Sequence, residues 1–476
     1  MKAPFSKYLD GIAGGLKDLI KELGKDYSYV SVLATDSKGF SVRISQHAKR
    51  VSNQTMTTER GTVVRVHDED GYCEYALDSF DPAKPMETAQ KIKEELEQQK
   101  KLRKATGMEY YPTGSLSDEE LELFVEKETI MLPEETKLDE LIGRLCDISD
   151  RNAANEEVID CLCNAQSTHV CKMFLSANRD LRQSYVYSEG GVVVIAQKDG
   201  RNQYGNESVS GLCGPEIFTQ LEEAGDKALA SARAMLQAVP VVPGEYEIIT
   251  SPEVTGLIAH EAFGHGVEMD MFVKERALGA HYIGKRVGSD LLTMHEGALC
   301  AESVTSYAFD DEGTLAKDTV EIEKGILKTG ICDALSALRL GIAPTGNGKR
   351  ENFAHKAYTR MTNTMIDSGD CDVQDMIKSI KHGYLLEGME SGMEDPKHWG
   401  IQCIVKMGRE IKDGRLTGKI VGPVIMTGYV PDLLSNITML SHDRKVSGAG
   451  GCGKGYKEFV KTAEGGPYMK TKGMLG

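Results

Sequence analysis

Phe5, Tyr8, Leu9, Ile12, Leu16, Leu19, Ile20 and Leu23 recur at the spacing of one helical face, and Gly24 follows as a stop. The pattern then shortens to runs that read as strands: Tyr27 to Ala34, Gly39 to Ile44, Gly61 to Val66 and Tyr72 to Ala76. Asp36-Ser37-Lys38-Gly39 and Asp68-Glu69-Asp70-Gly71 read as the turns between them. Met86, Ala89, Ile92 and Leu96 mark a second helix. Lys100 to Lys104, followed by Tyr110-Tyr111-Pro112, reads as a solvated connection or a lid. Ser117 with Glu120 makes a capping-box pattern, which predicts a helix start before Leu121, Phe124 and Val125. Leu138, Leu141, Ile142, Leu145 and Ile148 mark another helix. Strands return near Val170 to Leu175, Ser184 to Tyr187 and Val192 to Gln197, and Pro215 to Ala238 reads as helical.

Val239-Pro240-Val241-Val242-Pro243-Gly244 is the candidate boundary, because two prolines in an apolar link favour an extended connector. Beyond it the chain turns strand-rich, with strands expected at Glu245 to Thr250, Thr319 to Ile322, Ile401 to Met407, Lys419 to Val421 and Val424 to Thr427. Asp372 to His382 and Pro431 to Ile437 read as helices. Asp310-Asp311-Glu312-Gly313 reads as a solvated turn; its acids lack the EF-hand spacing. The expected fold class is α+β. Residues 1–238 would form an α+β domain of helices and antiparallel meanders. Residues 239–476 would form a β-rich domain carrying a motif helix.

Composition narrows the function classes. The chain has 476 residues, 40% hydrophobic and 27% charged, as in an ordinary globular protein. Its net charge of −16 repels phosphate backbones, so nucleic acid is not an expected partner. No apolar run is long enough to span a membrane, and the start shows no signal-peptide core. The 11 cysteines are scattered, with no C-x-x-C, which suits reduced thiols and a cytoplasmic location.

The chemistry concentrates in Ile258-Ala259-His260-Glu261-Ala262-Phe263-Gly264-His265-Gly266. Ser251 reads as an N-cap, Pro252 as the first helical residue and Glu253 as a first-turn acid. His260-Glu261 opens like the zinc-protease motif H-E-x-x-H, but the second His comes one residue later. On a regular helix, residues five apart point roughly 140° apart. Two imidazoles can meet on one ion only if a π-type bulge widens the helix or the helix ends before His265. Two ligands are also fewer than the three that a catalytic zinc usually takes from protein. By spacing alone, a buried helix with two hydrogen-bonded histidines remains an equal reading, and His295-Glu296 repeats the H-E pair.

The second unusual stretch is Ser447-Gly448-Ala449-Gly450-Gly451-Cys452-Gly453-Lys454-Gly455. It falls short of a P-loop, because Gly455 stands where a Ser or Thr would hold Mg²⁺. Its glycines would let the Cys452 thiolate approach a partner closely, and a thiolate beside a cation is a good zinc ligand.

With these stretches in hand, the chain resembles the TldD/PmbA family of metallopeptidases, also labelled modulators of DNA gyrase. The resemblance rests on His260-Glu261-x-x-x-His265, Arg360-Met361-Thr362-Asn363-Thr364 and Cys452-Gly453-Lys454-Gly455, with support from Pro243-Gly244-Glu245-Tyr246, Asp310-Asp311-Glu312-Gly313 and Gly465-Gly466-Pro467. It implies Zn²⁺ held by His260, His265 and Cys452, with Glu261 as the catalytic acid/base. It implies dimers enclosing a cavity, formed with a second copy or with a PmbA/TldE-like subunit that lacks the motif. Tyr456 is a departure, since the family usually places Gln shortly after Cys-Gly-Lys. The expected function is zinc-dependent hydrolysis of short or unfolded peptides, although an N/S site also takes other divalent metals. The alternative is a non-catalytic regulatory protein, such as a gyrase modulator.

Overall fold

The computed structural model describes residues 1–55, 58–68, 71–107, 113–454 and 458–476, with the backbone alone at Glu458. The first half contains α1 (Lys7–Leu23), β1 (Tyr29–Asp36), β2 (Lys38–Ile44), β3 (Lys49–Ser52), β4 (Arg60–Asp68), β5 (Gly71–Leu77), α2 (Pro85–Thr106), β6 (Leu121–Glu126), α3 (Leu138–Ala153), β7 (Val158–Ser176), β8 (Arg179–Lys198), β9 (Arg201–Gly211) and α4 (Leu221–Leu236). The second half opens with β10 (Gly244–Thr250), α5 (Pro252–Ala259) and α6 (Asp270–Val273). It continues through β11 (Met294–Glu296), β12 (Thr319–Glu323), β13 (Ile326–Leu327), α7 (Ala334–Leu340), β14 (Gly348–Lys349), β15 (Tyr358–Thr359), β16 (Asn363–Ile366) and α8 (Val373–Lys378). It ends with β17 (His382–Asp395), β18 (Gly400–Lys412), β19 (Arg415–Val421), β20 (Val424–Tyr429), α9 (Val430–Ser435), β21 (Met439–Ser447), β22 (Gly451–Lys454), β23 (Glu458–Lys461) and β24 (Ala463–Leu475).

Nine strands of the first half form one sheet, ordered β3-β2-β7-β1-β4-β5, with β8 carried on β7 and joined by β6 and β9. Helix α1 buries Leu9, Ile12, Leu16, Leu19 and Leu23, the face its sequence predicts, against Val32, Val64 and Met173. Helices α3 and α4 cover the β2, β7 and β8 end through Leu145, Ile148, Leu221 and Ala228. In the second half, β10, β17, β18, β20 and β24 close into a ring, because β24 also pairs antiparallel with β10. The apolar side of α5, Val254, Leu257 and Ile258, packs on ring residues including Ile248, Leu386, Val405 and Met426. The architecture is therefore mixed α+β, as expected, with the motif helix on the β-rich half.

Four local expectations are corrected. Leu121–Glu126 is a strand, not a helix: Leu121 and Leu123 pack inward while Phe124 is exposed, and the segment pairs in parallel with β8. Tertiary pairing overrides the capping signal. Lys100 to Lys104 belongs to α2, where Lys100 is half-buried and pairs with Asp68 at 2.8 Å while Lys101 and Lys104 are exposed. The runs near Ser184 and Val192 are one strand, β8, because Glu189, Gly190 and Gly191 continue its pairing with both neighbours. Asp310, Asp311 and Glu312 are buried. Asp310 accepts backbone N–H bonds from Glu312, Thr314 and Gly348. Asp311 pairs with Lys172, and Glu312 with Arg65 at 2.6 Å, so this turn binds the two halves together. The expected turn at 69–70 and the segment 110–112 lie outside the described residues.

Candidate metal centre

Helix α5 begins at Pro252 after Ser251, although the Ser251 hydroxyl makes no capping bond. The helix runs to Ala259 and then widens into a π-turn over His260–Gly264, followed by a 3-10 turn over His265–Val267. This added residue per turn brings the two imidazoles together, with ring centroids 5.1 Å apart and planes at 90°. Gly264 is required by space: a Cβ there would lie 2.2 Å from the Met361 sulfur.

Cys452 arrives from the β22–β23 hairpin. Its Sγ lies 3.1 Å from His265 Nε2, and one ligand atom from each of His260, His265 and Cys452 falls within 4.8 Å of the others. The other nitrogen of His265, Nδ1, faces Glu268 Oε2 at 3.1 Å, which orients Nε2 toward Cys452. Glu268 is itself held by Lys454 at 3.2 Å, with Arg360 at 3.6 Å. Arg360 also donates to the Cys452 carbonyl at 2.7 Å. His260 Nδ1 is buried without a hydrogen bond among the described residues, 4.0 Å from Glu464.

The electrostatics favour a charged sulfur. Burial pushes the Cys452 thiol up, but the neighbouring His260 and His265 outweigh it and bring the thiol down to about 5. Two imidazoles and a thiolate, in reach of one another and partly without other partners, suit a divalent N/S-seeking ion such as Zn²⁺.

Glu261 follows His260 and shares the wall of a cavity of about 740 Å³ with His265, Met389, Glu394 and Cys452. Burial raises its carboxyl above the ordinary value. Gly392 of β17 faces it so closely that a Cβ there would lie 2.4 Å from Glu261 Cγ. Burial also pushes Glu394 up to about 9, and neither of its oxygens has a hydrogen-bond partner among the described residues.

All four sequence-predicted site residues thus lie at one cavity. Sequence reasoning missed their supports: Glu268, Glu464, Glu394 and Gly392, which carry no motif of their own. Arg360-Met361-Thr362-Asn363-Thr364 was visible as a pattern without a role. Arg360 ties Cys452 to Glu268, while Thr362 and Thr364 hydroxyls donate to Glu296 at 2.6 Å each. The second H-E pair therefore supplies a buried structural acid rather than a second centre. Tyr456 lies outside the described residues.

An α+β chain with two large sheets, and with two histidines of a π-distorted helix meeting a cysteine from a separate hairpin, is the class that fold and site define. Residues 243–475 match the family model of the PmbA/TldA metallopeptidase C-terminal domain. A metalloprotease of Methanocaldococcus jannaschii is 31% identical over 277 residues, 58% of this chain and 60% of that one. A zinc metalloprotease TldD homolog of Saccharolobus solfataricus is 30% identical over 232 residues, 48% of this chain and 51% of that one. These matches span less than two thirds of the length of either relative. The crystal structure of TldE from Thermococcus kodakarensis shares the fold with a TM-score of 0.75 at 18% identity, covering 97% of this chain and 100% of that one. The second half of the chain, residues 243–475, is thus a C-terminal domain of the PmbA/TldA metallopeptidase family.

Proposed function

We propose that the protein is a zinc-dependent peptidase acting on short or unfolded peptides. The observation that carries this reading is the meeting of His260, His265 and Cys452 beside Glu261 on the wall of one cavity. His260, His265 and Cys452 would hold Zn²⁺ or a divalent ion of similar preference, which would supply Lewis-acid activation of water and of a peptide carbonyl. Glu261 takes the proton from the attacking water and returns it to the leaving amine. Burial raises its carboxyl above the ordinary value, the direction that a group passing a proton both ways needs. His265 is kept in one orientation by Glu268, so its role does not depend on side-chain reorganisation.

The substrate class follows from β17. Strand β10 pairs with β17 over Glu247–Thr250 and Gly383–Leu386 alone, so beyond Leu386 that edge of β17 has no strand partner among the described residues. Met389 to Glu394 line the cavity there. An extended peptide laid on this edge would be held by main-chain hydrogen bonds, which demand an unfolded segment and impose little sequence preference. A dimer enclosing the site, with a second copy or a TldE-like subunit, would keep folded proteins out by size. No described helix is long and apolar enough to cross a membrane.

The test pairs metal analysis of purified protein with cleavage of one peptide presented free and inside a stable fold, together with particle mass in solution. Bound zinc, cleavage of the free form alone and a two-chain particle are expected. Metal-free protein without peptide cleavage would favour the regulatory alternative, and an active monomer would remove the enclosed dimer.

A further inference from the structure

The hairpin that carries Cys452 is a two-stranded sheet of its own, outside both large sheets. Among the described residues no strand of another sheet pairs with it, so side chains hold it in place. From the second half, Arg360 holds the Cys452 carbonyl and Lys454 reaches Asp270 at 2.7 Å. At the hairpin base one anchor is again from the second half, Lys349 Nζ donating to the Lys461 carbonyl at 2.6 Å, and the other comes from the first. Lys461, paired with Gly451 across the hairpin, donates from Nζ to the Gly450 carbonyl at 2.8 Å and to Glu189 of β8, 272 positions earlier. Gln166 of β7 donates to the other oxygen of Glu189. Both ends of this ion pair are buried, with side chains only 7% and 5% exposed. Gly450 and Cys452 both line the candidate active cavity.

We propose that Glu189 is a positioning residue for the metal centre, acting through Lys461 on the hairpin that presents Cys452. The proposal rests on the reading of Cys452 as a ligand. Removing the Glu189 charge leaves a buried ammonium with only neutral acceptors in hydrogen-bond reach, the Gly450 carbonyl among them, which is costly unless Lys461 swings toward water. That swing releases Gly450, two residues before Cys452. The first sheet is thereby part of the metal site, although it supplies no ligand. The buried pair Arg65–Glu312 between the halves, at 2.6 Å, makes no such contact with the hairpin among the described residues.

The test titrates metal-free full-length protein with Co²⁺ and follows the thiolate-to-cobalt charge-transfer absorption, at a temperature where circular dichroism shows every variant folded. Wild type should saturate with the thiolate band. Glu189→Gln should need about 10–100-fold more Co²⁺, the range for losing a residue that orients a ligand. Gln166→Ala, a milder change to the same pair, should give a smaller shift in the same direction and keeps the test available if Glu189→Gln does not fold. Glu312→Gln should lower the melting temperature while leaving Co²⁺ affinity and the band unchanged. Wild-type affinity and band in both Glu189→Gln and Gln166→Ala would overturn the proposal, as would an equal shift in Glu312→Gln. Wild-type protein that binds no Co²⁺ would instead sink the metal reading itself, and this inference with it.

Discussion

Each half of the molecule contains a histidine network, and the one in the second half lines a cavity of substrate size. In the first half, His169 Nε2 lies 2.9 Å from the Ser184 hydroxyl and Nδ1 lies 3.1 Å from Glu134. Those separations match a hydrolase triad of hydroxyl, imidazole and carboxylate. Yet Ser184 is fully buried, and its hydroxyl is also within bonding distance of the Pro4 carbonyl, at 3.2 Å. No reacting atom can reach it. In the second half, His260 and Cys452 are also buried and His265 half-buried, but Glu261 and all three face about 740 Å³ of space, and His260 Nδ1 has no hydrogen-bond partner among the described residues. Distances alone would rank the two networks as equals. Access, and polar atoms left open for an incoming group, separate a site from an internal brace.

The largest expected effect tests the open network. Glu261→Gln removes the proton acceptor while preserving shape, so peptide hydrolysis should fall about 10²–10⁴-fold with zinc content unchanged. Near-normal turnover would assign the base to another group, with Glu394 next in line by position. Cys452→Ser should then weaken metal binding by more than the about 10–100-fold that loss of an orienting residue costs. Full zinc occupancy in that variant, measured by elemental analysis, would remove Cys452 from the ligand set. The closed network supplies the counterpart: Ser184→Ala should leave peptide hydrolysis unchanged and cost about 0.5–1.5 kcal/mol of stability. Loss of hydrolysis with retained metal would show that the closed network is not inert and would break the comparison.

The two halves also differ in how far their residues announce the structure. Helix α1 and the first meander were legible because each hydrophobic face is local: Leu9, Ile12 and Leu16 recur within the helix that buries them. Strand β6 was not legible, because a parallel partner 58 positions later in the chain decides it, Leu121 opposite Arg179. The buried acids Asp310 to Glu312 read as solvated because their cations, Lys172 and Arg65, lie far back in the chain. At the site, the His260–His265 spacing signalled a helix distortion, since a regular turn could not bring the two rings together. The supports Glu464 and Gly392 could not be read, because they meet His260 and Glu261 from distant stretches of the chain, while Glu268 meets His265 locally but carries no motif.

The smallest expected effect sharpens the comparison from the closed side. Burial pushes His169 down, but its partners Cys171 and Glu134 outweigh that and hold the imidazole up at about 9, against an ordinary value of 6.5. A group raised in the folded state binds its proton more tightly there than in the unfolded chain. Its stabilisation is therefore complete below 6.5 and is lost as the pH rises through about 9. Glu134 is partly exposed, so solvent screens the pair, and the term should be on the order of 1–2 kcal/mol. His169→Gln keeps a polar side chain but cannot titrate. The stability difference between wild type and His169→Gln, from urea unfolding at several pH values, isolates this group from other titrations. That difference should be largest in mildly acidic buffer and should shrink as the pH rises through the window. A constant difference would mean that His169 is not protonated in the folded protein and that the brace works through neutral hydrogen bonds alone.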